Sequence, residues 1–478
     1  MSPRIDAIRP RKGPPTLYGG GSGTDAARLR TDGGIDRARP DDLLELAVDR
    51  GRVPWQVGAL LVLDRAPDPA AVRQALADRV RSIPRLRRKL VRTPPLCGRP
   101  VWIDDPDFAI ERHVREVTCP DPADDAALHE VAMQAVGTPL SLRHSPWAAV
   151  VVTGLHGRGA LVVVFHHVLA DGVGGLAVLT RLADGAPPVE NGGFPRRPPG
   201  VRRLLGDAMA ARTRAVAHLP RGLRQVRDAV RELRATRAPR APRSSLTRPT
   251  GTRRALRVVR ADLAAVRSVA HAHGGTINDV LLTAVGGALG TLLSRRGEST
   301  PQVVVSVPIS SRIDTDAARL GNAVGVLPVA VPTTGPPIAR LAAVARTTAD
   351  GRAAPRAASA VLLDAAFRLV ALTGALPWIL DHQDLVTTFV TNLRGPTRPI
   401  AFLGARIDAV VPLTTTTGNV PVVFGALSYA GALTLTVVAD PDACAELDAL
   451  VADLRTEIDE LCAATNPSPR PRAAHRSG

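Results

Sequence analysis

The sequence predicts a mixed α/β (α+β) protein of two lobes joined by a basic linker. Three observations lead there. The chain has 478 residues, more than a single hydrophobic core usually serves. Strand-like and helix-like patterns mix along it without strict alternation. Basic residues concentrate in one central stretch. The expected divisions are a Gly-, Pro- and Arg-rich segment 1–38, expected to be disordered, a first lobe 39–190, an Arg-rich and partly helical linker 191–255, a second lobe 256–465, and a polar tail 466–478, again expected to be disordered.

The elements follow from the pattern of side chains. Gln56 to Leu63 reads as a strand. Asp68-Pro69 then supplies an N-cap and a proline at the first helical position, and Val72, Leu76, Val80 and Ile83 give that helix its apolar face. Leu161 to Phe165 is a continuous β-branched and aromatic run, as in a buried strand. Gly185 to Gly200 is a Pro/Gly-rich boundary. Beyond the linker, Leu256 to Val259, Val303 to Val307 and Val324 to Val331 read as strands. Thr276-Ile277-Asn278-Asp279 forms a capping box before an apolar helix. Val422 to Leu427 and Leu433 to Val438 flank Ala430-Gly431 as a hairpin. Leu447, Leu450, Val451, Leu454, Ile458 and Leu461 give one face of a last helix.

Composition excludes several classes. The formal net charge is +17, and all but two of the 61 basic residues are arginine. Between Arg196 and Arg260 lie 19 arginines against Asp207, Asp228 and Glu232, a net +16, so the rest of the chain is near neutral. That stretch has no Phe, Trp or Tyr, which argues against stacking on nucleic-acid bases, and no nucleic-acid partner is expected. Leu223, Val226, Val230 and Leu233 recur at helical spacing, each followed by Arg224, Arg227, Arg231 and Arg234. An apolar stripe bordered by guanidinium groups suits an anionic membrane or lipid-droplet surface; a solvated helix packed on its own protein is the plainer reading. Cys97, Cys119, Cys444 and Cys462 are too scattered for a disulfide framework. No secretory h-region opens the chain, and no uninterrupted apolar stretch reaches membrane-spanning length. A cytoplasmic, peripherally membrane- or droplet-associated protein is therefore expected.

The sharpest signal is His166-His167-Val168-Leu169-Ala170-Asp171-Gly172. It follows the apolar run and precedes Gly174-Gly175 and a helix. A histidine in a loop at a strand end serves as a general base near neutral pH. Asp171 would orient the loop, and Gly172 would permit a turn that a side chain obstructs. Competing readings are a structural His-His pair, a metal site and a dinucleotide fingerprint. Adjacent residues in extended chain point to opposite faces and no third ligand is evident, so no metal is expected. Gly172-Val173-Gly174-Gly175-Leu176-Ala177 matches G-x-G-x-x-A with Glu190 beyond it, but a loop separates these glycines from the strand.

The HHxxxDG motif and its flanks resemble the bacterial wax ester synthase/acyl-CoA:diacylglycerol acyltransferase family, within a superfamily of CoA-dependent acyltransferases and peptide-synthetase condensation domains. The flanks are Val101 to Phe108 with His113-Val114-Arg115; Pro139-Leu140; Ser145-Pro146-Trp147, similar to the family's PLW; Gly154-Leu155 and Gly157-Arg158; Asn278-Asp279-Val280, similar to its ND motif; Gly321-Asn322; Thr391-Asn392-Leu393-Arg394-Gly395-Pro396, similar to SNVPGP; and Ser428-Tyr429 with Asp440. The match runs in order from about Asp41 to Leu461. PLW is changed to Ser-Pro-Trp, and SNVPGP at three of its six positions. The resemblance implies two chloramphenicol-acetyltransferase-like lobes with the active site in the tunnel between them. It implies His167 as general base, taking the proton of a diacylglycerol or fatty-alcohol hydroxyl as that oxygen attacks an acyl-CoA thioester. It implies a ternary complex, acyl-CoA as substrate and no cofactor. His166 would be structural or a substrate contact, and Asn278 and Asn392 would be candidate donors to the oxyanion or substrate.

Overall fold

The computed structural model describes residues 34–186, 193–214, 216, 239–310, 324–353 and 373–464. In the first half, helix α1 (Pro40–Val48) leads to strand β1 (Gln56–Leu63), helix α2 (Pro69–Arg79), strands β2 (Arg88–Val91), β3 (Val101–Asp104) and β4 (Val114–Thr118), helix α3 (Asp125–Gly137), strands β5 (Trp147–Leu155) and β6 (Arg158–His166), and helix α4 (Gly172–Leu182). The second half holds β7 (Ala255–Asp262), α5 (Leu263–Ala272), α6 (Ile277–Arg295), β8 (Gln302–Ser310), β9 (Val324–Pro332), α7 (Pro337–Ala353) and α8 (Leu376–Asp381). It continues with β10 (Thr388–Arg394), β11 (Ala401–Phe402), β12 (Ala405–Leu413), β13 (Val422–Tyr429), β14 (Ala432–Ala439) and α9 (Leu447–Ala463).

These strands form two six-stranded sheets, one ordered β11-β12-β1-β6-β5-β4 and the other β7-β14-β13-β10-β8-β9. The alternation of a strand sends successive side chains to opposite faces. In β1, Ala59, Leu61 and Leu63 join the core beneath α2 and α4, whereas Leu60 and Val62 join a second core with α3 and with Leu256, Val423 and Val438 of the other sheet. The lobes thus share a hydrophobic layer. The other lobe's own core is built around α6, whose Leu281, Leu282, Val285 and Leu289 are buried among β8, β9 and α9. α6 is long and apolar enough to cross a membrane, but 72% of its apolar window is buried inside the protein, so it is a core helix.

Three expectations need correction. The lobes are not contiguous in sequence: within the span 256–465, β11 and β12 leave the second lobe and pair with β1, Leu60 opposite Val411. Strand β1 is buried on both faces, so the backbone N–H and C=O groups on each of its edges need a strand partner in place of water. The helix expected through Ile83 ends at Arg79 and continues as a 3₁₀ turn, Val80–Ser82, because Ile83 precedes Pro84 and is pushed out of the helical region. Residues 34–38 are ordered against the first lobe. Ala38 is buried, and Asp36 pairs with Arg85 at 3.3 Å and Arg88 at 2.9 Å. The linker is also docked along its described parts: the Arg196 guanidinium reaches Asp104 at 3.2 Å and the Ala241 N–H donates to the Asp384 carbonyl. The Arg224-to-Arg234 stripe, Gly321-Asn322 and Glu190 lie outside the described residues.

Candidate active site at the end of strand β6

His166 is the last residue of β6 and pairs in register with Gln56 of β1. The chain then turns sharply. The Leu169 N–H donates to the His166 carbonyl at 2.8 Å, and the His167 N–H to the Trp55 carbonyl at 3.1 Å. Val168, Leu169 and Ala170 are buried, which anchors the loop from beneath. Asp171 closes it as the N-cap of α4, its Oδ1 accepting the Gly174 N–H at 2.7 Å; a capping carboxylate satisfies an otherwise orphaned donor.

The two histidines are held differently. His166 has 2% of its side chain exposed and His167 18%. His166 Nδ1 accepts the Val168 N–H at 3.0 Å, which leaves its proton on Nε2, 3.3 Å from Asp49 Oδ2. The ring is buried, with Nδ1 hydrogen-bonded and Nε2 facing a carboxylate. His167 stacks on Trp55, centroids 5.1 Å apart and planes 9° from parallel, with Nδ1 3.5 Å from Glu45 Oε2. A carboxylate facing Nδ1 favours the tautomer that carries its proton on that nitrogen. The Trp55 indole N–H also donates to Glu45, and the Trp55 backbone N–H to Asp49 Oδ1 at 2.8 Å. Glu45 and Asp49 stand one turn apart at the end of α1, so one helix end addresses both histidines.

The flanking segments build the frame. Trp147 is fully buried; its indole N–H donates to the Leu86 carbonyl at 2.8 Å and its ring stacks on His113 at 4.7 Å. Burial pushes the His113 imidazole below its usual range. Asp105 is buried, which opposes its charge, but hydrogen bonds from Lys89 and His144 outweigh that and hold its carboxyl below the usual range. Strand β5, which starts at Trp147, pairs with β6 and so fixes the strand end that carries the histidines.

A model of the wax ester synthase/diacylglycerol acyltransferase catalytic domain matches residues 39–281, and a model of the WS/DGAT C-terminal domain matches residues 320–462. The chain belongs to this family. A Mycobacterium bovis protein named as a diacylglycerol O-acyltransferase is 28% identical over 440 residues, covering 87% of this chain and 93% of the relative. A Mycobacterium tuberculosis relative of the same named activity is 28% identical over 420 residues, 86% and 87% of the two chains. Among solved structures, the wax ester synthase/diacylglycerol acyltransferase of Marinobacter aquaeolei VT8 superposes with a TM-score of 0.66 at 21% identity, covering 90% of this chain and all of that one. The starter condensation domain of rhizomide synthetase gives 0.57 at 17%, covering 94% and 97%. The fold is that of two-lobed WS/DGAT and condensation-domain proteins.

The family's motifs occupy distinct places here. Gly172 is needed for close approach and not for a turn: it opens α4 in ordinary helical conformation, and a Cβ there would lie 3.1 Å from Leu393 of β10. The second lobe thus touches the motif through Leu393. Asn392 is exposed on the opposite face of β10, which it shares with the core residue Val390, so Thr391 and Leu393, not Asn392, face the first lobe. Asn278 is half-buried at the second position of α6. Its neighbour Asp279 completes the expected capping box with Thr276 and also accepts the Thr348 hydroxyl at 2.7 Å. The G-x-G-x-x-A reading is overturned, since both neighbours of β6 are antiparallel to it and a dinucleotide site needs a parallel βαβ unit. The side chains that sequence reasoning missed are Glu45, Asp49 and Trp55; the available signal was an acidic pair at i, i+4 followed by a tryptophan at the mouth of β1.

Proposed function

We propose that the chain transfers a long-chain acyl group from acyl-CoA to the hydroxyl of diacylglycerol or a fatty alcohol, with His167 as general base. The carrying observation is the asymmetry of the histidine pair. His166 is buried, with Nδ1 accepting a backbone N–H and Nε2 facing Asp49, whereas His167 is partly exposed and stacked on Trp55, with Nδ1 turned to Glu45. His167 Nε2 takes the acceptor's O–H proton as that oxygen attacks the thioester carbonyl. The tetrahedral adduct collapses, the C–S bond breaks, and the imidazolium returns its proton to the departing CoA thiolate. Ester and CoA–SH are the products, and the proton balance needs no cofactor. Glu45 stabilises the transient imidazolium, and Trp55 holds the ring plane.

Orienting two bound substrates and moving one proton are each worth orders of magnitude in rate. The test is CoA release and ester formation from long-chain acyl-CoA with diacylglycerol, a fatty alcohol and an amine as separate acceptors. His167→Ala should lower turnover by about 10²–10⁴-fold in a folded protein. Near-normal ester synthesis by folded His167→Ala would refute the mechanism. Turnover with the amine alone would move the chain to amide-forming acyl transfer.

A further inference from the structure

Seven large hydrophobic side chains are exposed among the described residues, and five of them cluster at one place. Val201, Leu205 and Met209 are 56%, 39% and 49% exposed, and Val216 continues beyond them. The first three lie at i, i+4 and i+8 of the helix that begins at 201, which puts them on one face. Leu96, 72% exposed, belongs to the β2–β3 loop beside that helix: the next residue, Cys97, has its sulfur against the Val201 carbonyl at 4.0 Å. Leu96 also sits in the left-handed region, φ 68°, where a bulky side chain is strained. The loop holds a leucine outward at a conformational cost.

This helix is clamped to the protein by its other side. Leu204 and Ala208 are buried, Leu204 with Cys97 and Val101. The Arg37 guanidinium pairs with Asp207 at 2.6 Å and donates to the Leu204 carbonyl at 3.0 Å. The apolar stripe is therefore presented on a fixed support. Its surroundings are basic: Arg202, Arg203, Arg212 and Arg214 are all exposed, and Arg212 reaches back along Met209 at 3.4 Å. The one carboxylate among the described residues of this helix, Asp207, is already paired with Arg37.

The geometry points to this helix, together with Leu96, as the surface by which the protein docks on an anionic lipid interface. The stripe inserts among acyl chains while the arginine stems snorkel to the headgroups. Charge complementarity selects the occupant, because four arginines around an apolar strip repel a second copy of the same surface and attract anionic headgroups. The site differs from the Arg224-to-Arg234 stripe that the sequence pattern suggested, and it holds or fails independently of the acyl-transfer reading.

The experiment is co-sedimentation of the full chain with phosphatidylcholine vesicles, with and without phosphatidylglycerol, at low and high salt. Wild type should prefer the anionic vesicles and lose affinity as salt rises. Leu205→Asp with Met209→Asp should weaken binding by roughly tenfold or more. Arg202→Gln with Arg203→Gln, Arg212→Gln and Arg214→Gln should abolish the anionic preference. Trp378→Ser, at an exposed aromatic elsewhere, should bind as wild type. All substituted side chains are exposed, so folding is preserved, which the melting curve checks. Undiminished vesicle binding by the Leu205→Asp, Met209→Asp protein would overturn the assignment. So would a dimer in lipid-free solution that this variant alone disrupts.

Discussion

Two buried aspartates cap two helices, one in each lobe, and the comparison separates chemistry from architecture. Asp279 is enclosed on every side: its Oδ2 accepts from the Thr276 N–H and hydroxyl, each at 2.8 Å, and its Oδ1 from Thr348 of α7. It knits α6 to α7 within a lobe's core. Asp171 also binds a helix start, but as the N-cap of α4 and not as its third residue, and the loop it closes carries both histidines. A carboxylate at a helix start therefore serves stability in one lobe and placement of a reactive side chain in the other. What decides is the segment that precedes the cap.

The sharpest break of that comparison is by substitution of the aspartates. Asp279→Ala removes the acceptor of the Thr276 N–H and leaves the buried Thr348 hydroxyl only the Ala345 carbonyl at 3.2 Å, and should cost about 2 kcal/mol of stability. Turnover per folded molecule should hold, as read by denaturant melts beside CoA release. Asp171→Asn keeps an acceptor for the Gly174 N–H but loosens the loop, so turnover should fall roughly tenfold with a smaller drop in melting temperature. An unchanged melt beside complete loss of turnover would instead make Asp171 a direct participant.

Glu45→Gln tests whether α1 belongs to the chemistry. It should lower kcat by about tenfold with KM and thermal stability near wild type, because the amide keeps the volume and loses the charge facing His167. A change confined to KM would place Glu45 in substrate binding. Gly172→Ala should cost a few-fold in turnover, since the added methyl would meet Leu393 at 3.1 Å, and Leu393→Ala should restore it. A double variant no better than the single one would show that the lobes do not meet there in solution.

The smallest effect expected is with pH. Burial holds the folded His113 below its usual range, so on acidification the unfolded chain takes up the proton first, near pH 6.5. Stability present above that pH is lost as pH falls through it toward the lower folded value. Asp105 acts in a more acidic window: its folded carboxyl lies low, so its contribution is present above about pH 4 and lost below. His113→Phe, which keeps a ring between Phe108 and Trp147, should flatten the melting-temperature slope between about pH 7 and 5.

Much of this was legible in the sequence because it is local. The hairpin around Ala430-Gly431, the capping box at Thr276 and the Asp68 cap each reside in a few consecutive residues, and all form as expected. The position of HHxxxDG at a strand end was readable for the same reason. The partners of the histidines were not. Glu45, Asp49 and Trp55 lie more than a hundred residues upstream and arrive only because β1 pairs with β6 in one register. Pattern alone also could not assign β12 to the first sheet, since Ala405–Leu413 alternates as well for either lobe. The role of Leu393 was not legible either, because a strand turns neighbours to opposite faces and it is Leu393, not the motif's Asn392, that lies against Gly172.

The loan of β12 to the first sheet has a consequence for how the protein is made. The ribosome delivers β1, β6 and the histidine loop long before residue 405 emerges. Until then β1 is an open, apolar edge, the kind of template that recruits stray strands. The nascent first half must therefore be shielded or kept unfinished, and the histidine-bearing sheet closes only near the end of synthesis. A chain truncated before Ala405 would be born with that edge permanently bare.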